Sequence, residues 1–250
     1  MSTEATYLPA LRELDPAFEQ AVRRFCAPPS RPALPPSFRE LLAMAIQAST
    51  TQLHLPEVRR HLRNALALGA SQDEVMEVLQ LTSVLGIHTC TLAMPILLEE
   101  LAVRDGGSGR AEELLQEPRR KRLKEAFIAG RGYWRDFWND LLLLDPDFFE
   151  AFVAFSSVPW CNGPLPPKFK ELVYVAIDCS TTHLFTLGLR LHVQNALQLG
   201  ATAAELMEVL QLASAQGLNA CSVGIPILQE ELAAFGRPAL SVTPTLETTP

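Results

Sequence analysis

The chain lacks most of the features that would classify it at sight. Its 250 residues include only five cysteines (Cys26, Cys90, Cys161, Cys179 and Cys221), an odd number with no scaffold spacing and no C-x-x-C pair. A disulfide-stapled secreted fold is therefore not expected, and a reduced, cytoplasmic protein fits better. Positive charge is scarce too: 21 Lys and Arg stand against 28 Asp and Glu, for a net charge of -7. That balance argues against nucleic acid as a partner, since phosphate neutralisation drives nonspecific binding. The one basic cluster, Arg119 to Lys124, reads as a solvated helix face. Met1 to Pro16 shows no basic segment followed by an apolar one, so no signal peptide is expected. The most apolar stretch, residues 78–98, is interrupted by Gln80, Thr82, Ser83 and His88 and broken at Gly86 and Pro95. It reads as two buried helical segments rather than a membrane span, and no membrane partner is expected. No clear alternation of apolar and polar residues marks a strand, and no H-E-x-x-H marks a metal site.

What the chain does contain is itself, twice. A shift of 131 positions aligns Leu34–Leu101 with Leu165–Leu232 without gaps, with 36 identities in 68 pairs. At a shift of 130 the match continues upstream, LDPAFEQAVRRF (14–25) against LDPDFFEAFVAF (144–155). The period is too long for a solenoid and reads as a tandem duplication of domains. The expected boundaries are a first repeat at 1–103, a connector at 104–130, a second repeat at 131–235 and a disordered Pro/Thr-rich tail at 236–250.

Each repeat reads as helices. Ser71 with Glu74, and Thr202 with Glu205, have the spacing of a capping box ahead of an apolar helical pattern. Gly69 and Gly200 stand where a helix needs a left-handed terminator. Paired prolines open PPSFRELLAMAI and PPKFKELVYVAI, as suits a helix start. The expected class is all-α.

Polar residues that interrupt these apolar helices are the candidates for chemistry. On a helix expected from about Pro167 to His183, Glu171, Asp178 and Thr182 project in nearly one direction, within about 20° at ~100° per residue. Their counterparts are Glu40, Gln47 and Thr51. A polar stripe on an apolar helix needs partners, a cavity or water. His192 follows on the next helix and matches His61, while His183 matches Gln52. Tyr174 and Trp160 are candidates for the floor of a pocket. A metal site built from Glu171, Asp178, His183 and His192 is a rival reading, although the spacing matches no compact ligand motif. Structural roles for the same residues stay open at this point.

The string E-x20-H-x7-G-A-[ST]-x-x-E occurs in both repeats, through Glu40, His61, Gly69 and Glu74, and through Glu171, His192, Gly200 and Glu205. With RGYWRDFW, SSVPW and KELVYVAIDCSTTH, it resembles the carboxymuconolactone decarboxylase and alkylhydroperoxidase D superfamily, in a tandem two-domain form. The resemblance implies two helical domains forming a pseudo-dimer. It also implies a homo-oligomer, a trimer of two-domain chains or a dimer, and a small-molecule substrate. The peroxidase branch pairs its Glu and His with C-x-x-C. Here those cysteine positions hold Phe185 and Gly188, or His54 and Glu57.

What remains resembles the decarboxylase branch, which uses no metal or organic cofactor. The resemblance implies a lyase or related proton-transfer enzyme acting on a small carboxylated cyclic compound such as a lactone. His192 would be the proton donor, Glu171 its orienting partner, and His183 a further acid/base group. Asp178, Thr182, Tyr174, Trp160, Glu40 and His61 would contribute to substrate binding. The alternatives are a peroxidase-like or redox-active relative using Cys179, or Cys90 and Cys221, and a noncatalytic helical scaffold that binds a small molecule.

Overall fold

A computed structural model describes residues 5–104 and 111–236. The expected disordered tail falls outside these residues except at Gly236, as does the glycine-rich start of the connector. The described residues form fourteen α-helices and no strand. They are α1 (Leu8–Leu14), α2 (Pro16–Cys26), α3 (Pro36–Ala48), α4 (Leu55–Ala67), α5 (Gln72–Val84), α6 (His88–Arg104), α7 (Ala111–Leu115), α8 (Pro118–Arg131), α9 (Phe137–Leu144), α10 (Pro146–Cys161), α11 (Pro167–Asp178), α12 (Thr186–Gln198), α13 (Ala203–Ala215) and α14 (Asn219–Ala234). Three-residue 3-10 turns, Leu85–Ile87 and Gln216–Leu218, precede α6 and α14.

The chain divides into two compact units. One comprises the residues up to Thr82 together with those from Pro164 onward; the other is Ser83–Gly163. The units thus cut across the repeats: the larger one joins α3–α5 of the first repeat to α11–α13 of the second.

Local chemistry accounts for the helix ends. Thr202 and Glu205 form a reciprocal capping box. Ser71 and Glu74 do the same, with Ser71 N–H donating to Glu74 at 2.7 Å and Glu74 N–H donating to the Ser71 hydroxyl at 3.1 Å. Asp15 and Asp145 cap α2 and α10 by accepting from the backbone of Phe18 and Phe148. Gly69 and Gly200 take φ values of +92° and +83°, which a side chain would oppose.

Within the larger unit the two repeats pair about a local two-fold axis. Phe38 and Phe169, equivalent under the 131-residue shift, meet with ring centroids 4.1 Å apart. Thr51 and Thr182, also equivalent, bring their hydroxyls to 3.3 Å. The first contact lies near the start of α3 and α11 and the second in the turns just past their ends, so the two helices run side by side in the same direction. Ion pairs cross the axis reciprocally: Lys170 Nζ lies 2.6 Å from Glu77, and Arg39 pairs with the equivalent Glu208. Lys170 and Glu77 are almost wholly buried, at 3% and 1% side-chain exposure. Glu77 also accepts from Leu165 N–H at 2.7 Å, and Glu208 accepts from Ala33 N–H. Residue i meeting j while j' meets i' is the signature of an isologous interface, here formed inside one chain. The fold is therefore all-α, with two tandem helical repeats joined as a pseudo-dimer.

The smaller unit packs around Phe127, Trp138, Leu142 and Phe149, with Val84 and Met94. One expectation changes here. The apolar stretch 78–98 does break near Gly86, but its second half is only partly buried, at Thr91 and Met94. Leu92, Ile96 and Leu97 on α6 are exposed, as are their equivalents Val223, Ile227 and Leu228 on α14. A helix buries only the stripe that a neighbour covers, and these residues lie off it. By length and hydropathy alone, the run Gln72–Arg104 would suffice to cross a bilayer.

Candidate functional site

In the second repeat, α11 and α12 form an antiparallel hairpin. Glu171, near the start of α11, faces His192 in the middle of α12. His192 Nδ1 and Glu171 Oε2 are 2.6 Å apart. Asn195, one turn beyond His192, donates to the other carboxylate oxygen at 3.1 Å. Glu171 is buried and the His192 side chain retains 13% exposure. With the carboxylate accepting at Nδ1, Nε2 is the ring nitrogen left over. Among the described residues no partner occupies it. Tyr174, buried one turn along from Glu171, covers the imidazole with ring centroids 4.5 Å apart.

Asp178 closes α11 and is fully buried. Its carboxyl lies against α12 one turn before His192: a β-carbon added to Gly188 would stand 2.2 Å from Asp178 Oδ2. Burial, reinforced by the nearby Glu171 charge, pushes the Asp178 carboxyl up to about 8. His183 Nε2 lies 3.7 Å from Asp178 Oδ1, and burial draws its pKa below the usual histidine range.

Thr182 departs from the expected stripe. The helix expected to reach His183 ends at Asp178, and the chain reverses through Ser180–Leu184. His183 and Leu184 N–H donate to Ser180, and Phe185 N–H donates back to Asp178. Thr182 therefore sits on the local two-fold axis, against Thr51 and Gln216, rather than beside Glu171. Trp160 lies on α10, in the smaller unit.

The first repeat builds the same pair. His61 Nδ1 and Glu40 Oε2 are 2.7 Å apart, and Asn64 donates to that carboxylate at 3.4 Å. Ala43 stands where the second repeat has Tyr174, and Gln47 where it has Asp178. Gln47 exchanges two hydrogen bonds with Asn219, at 2.8 and 3.2 Å.

Sequence reasoning missed Asn64 and Asn195. Both sit three residues after the histidine, on the same helix face, and both are identical in the two repeats; that spacing was the available signal. It also missed Gln216, whose buried amide accepts from Thr181 and donates to Gln52 and Thr182. Nothing in local spacing points to that residue.

Cys179 is poorly placed for redox work. Cys179 donates to the Ala176 carbonyl at 3.5 Å, and burial, with the Asp178 charge second, pushes it up to about 11. Little of it is thiolate at neutral pH, and the thiolate is the reactive form. A groove of about 720 Å³ on the smaller unit, lined by Lys121, Lys124, Glu125 and Asn139 among others, contains none of the candidate residues.

Comparison with known proteins follows the repeat. The model of the carboxymuconolactone decarboxylase family matches residues 16–88 and again 146–230. A search of curated proteins gives no significant match. Among solved structures, one from Burkholderia xenovorans, provisionally named a gamma-carboxymuconolactone decarboxylase subunit, is 43% identical. It superposes with a TM-score of 0.86 and covers 94% of this chain and 93% of its own. The duplicated Glu–His hairpin and the two matched regions coincide, and the chain belongs to the carboxymuconolactone decarboxylase family.

Proposed function

We propose that the protein is a carboxy-lyase, or a closely related proton-transfer enzyme, acting on a small carboxylated cyclic compound through the Glu171–His192 pair. The reading is carried by one observation: a buried carboxylate holds Nδ1 of a part-exposed histidine, while among the described residues Nε2 has no hydrogen-bond partner. Family membership supports the reaction class. The structural relative's name suggests gamma-carboxymuconolactone as the first compound to assay.

The chemistry needs little beyond this pair. A carboxylate positioned β to a carbonyl, or to its vinylogue, loses carbon dioxide as the C–C bonding electrons move into the conjugated carbonyl. The resulting enolate takes a proton at carbon. His192 delivers that proton from Nε2, while Glu171 orients the ring and compensates its positive charge through Nδ1. Asn195 holds the second carboxylate oxygen and so fixes the direction of Glu171. Tyr174 restrains the imidazole plane. In this reading the part-exposed His183 borders the substrate as a hydrogen-bonding group, with the buried Asp178 carboxyl behind it.

His192→Gln and His192→Ala test the role. Each should lower turnover by at least about 100-fold, the usual contribution of a positioned general acid, with helical content and melting temperature retained. Unchanged turnover in a folded variant would remove His192 from the mechanism.

A further inference from the structure

The two repeats carry the same Glu–His–Asn cluster, yet what meets the outer nitrogen of each histidine differs. In the first repeat Arg60 turns back over the neighbouring ring. Its guanidinium lies 2.8 Å from His61 Nε2, and its Nε donates to Glu57 at 2.8 Å. Glu57 Oε2 is itself 3.6 Å from His61 Nε2 and keeps only 8% side-chain exposure. Tyr7, buried in the cluster that packs α1 against Ile225, lies close enough to feel the charges of both Glu57 and Arg60. Both nitrogens of His61 are thus engaged by the chain's own side chains.

In the second repeat the positions of Arg60 and Glu57 are held by Leu191 and Gly188. Neither can bond to imidazole, and among the described residues nothing takes the place of Arg60 on His192. The replacements are matched across the hairpin as well. Asp178 fills the space that a side chain at 188 would need, whereas the first repeat has Gln47 opposite Glu57. Bulk exposure does not separate the two histidines, at 12% for His61 and 13% for His192. The difference lies in what occupies Nε2.

We infer that the Arg60–Glu57 ion pair seals the first repeat's Glu40–His61 pair against ligand, so that each chain offers one open acid–base site. Leu191 and Gly188 are the residues that keep the second site open. The inference builds on the acid–base role proposed for the pair. Its test reads imidazole reactivity rather than turnover, so the two ideas fail separately.

Diethyl pyrocarbonate, which acylates an imidazole nitrogen with a free lone pair, is applied in limiting amount to the full chain near neutral pH. Modified histidines are mapped by mass spectrometry. His192 should react at least about tenfold faster than His61, the scale of one charge-assisted hydrogen bond. The double change Arg60→Leu with Glu57→Gly should raise His61 to within about threefold of His192, since the two sites then differ by less than one such bond. Arg60→Met keeps the packing stem and gives the same reading where the double change unfolds. Equal rates at the two histidines in the wild-type chain would overturn the inference. So would a folded Arg60 variant in which His61 stays slow.

Discussion

At the scale of single residues, the second repeat's hairpin gathers groups with opposed electrostatic needs. Glu171 has a cationic-capable partner and an amide donor. Asp178, two turns along the same helix, is buried beside that charge and sits at about 8. Raised from its ordinary 3.8, it holds a proton in the folded chain that the unfolded chain has released between about pH 4 and 8. Its contribution to stability is therefore present at low pH and is lost as pH rises through the folded value. Asp178→Asn removes this dependence while keeping the shape. Urea denaturation at several pH values should show the wild type losing stability relative to Asp178→Asn as pH rises toward about 8. A constant difference would mean that Asp178 is ionised throughout. Gly188 belongs to the same arrangement, because any β-carbon there collides with the Asp178 carboxyl and the Phe185 ring.

At the scale of elements, the hairpins depend on a turn that helical periodicity does not announce. Both α3 and α11 end in a reversal whose last residue is a leucine with positive φ, +44° at Leu53 and +46° at Leu184. A branched aliphatic side chain in that region is disfavoured by about 1–2 kcal/mol. Both leucines are also well exposed, so burial offsets little of that strain. The compensation comes from the turn's hydrogen bonds, Phe185 to Asp178 and His54 to Gln47 among them, which set the register of each hairpin. Leu184→Gly should leave those bonds in place and raise stability by up to about 1 kcal/mol, strain relief exceeding the entropy cost of glycine. Thermal denaturation checks this, and a lowered melting temperature would show that Leu184 packs against something it needs.

At the scale of the whole molecule, the pairing of the repeats includes an ion pair almost wholly removed from water. Glu77 forms an ion pair with Lys170 and accepts from the Leu165 backbone, from a fully buried position on the opposite repeat. Removing one member of a buried pair strands the other, a loss of roughly 3–5 kcal/mol. Glu77→Ala should therefore unfold the larger unit at markedly lower denaturant. Glu77→Ala combined with Lys170→Met should recover much of the loss, because an apolar pair leaves no stranded charge. Equal stability of single and double variants would show that the ion pair does not hold the repeats together. Neither Glu77 nor Glu208 reads as an interface residue in one dimension. Each lies in an apolar helix between a methionine and a valine, with nothing in the spacing to name its partner.

Much of this protein is determined by its sequence alone. The duplication, the helices, their caps at Ser71, Thr202, Gly69 and Gly200, and the Glu-to-His spacing all rest on short-range chemistry that repeats 131 residues apart. Tertiary structure decided the rest, because it depends on which residues far apart in the chain come to share a space. It placed Thr182 on the two-fold axis, crossed Lys170 with Glu77 and Arg39 with Glu208, and set Asn64 and Asn195 behind the carboxylates. It also distinguished the two histidines. In sequence His61 and His192 look equivalent; in the fold Arg60 can turn back over one imidazole and Leu191 has no group with which to bond the other.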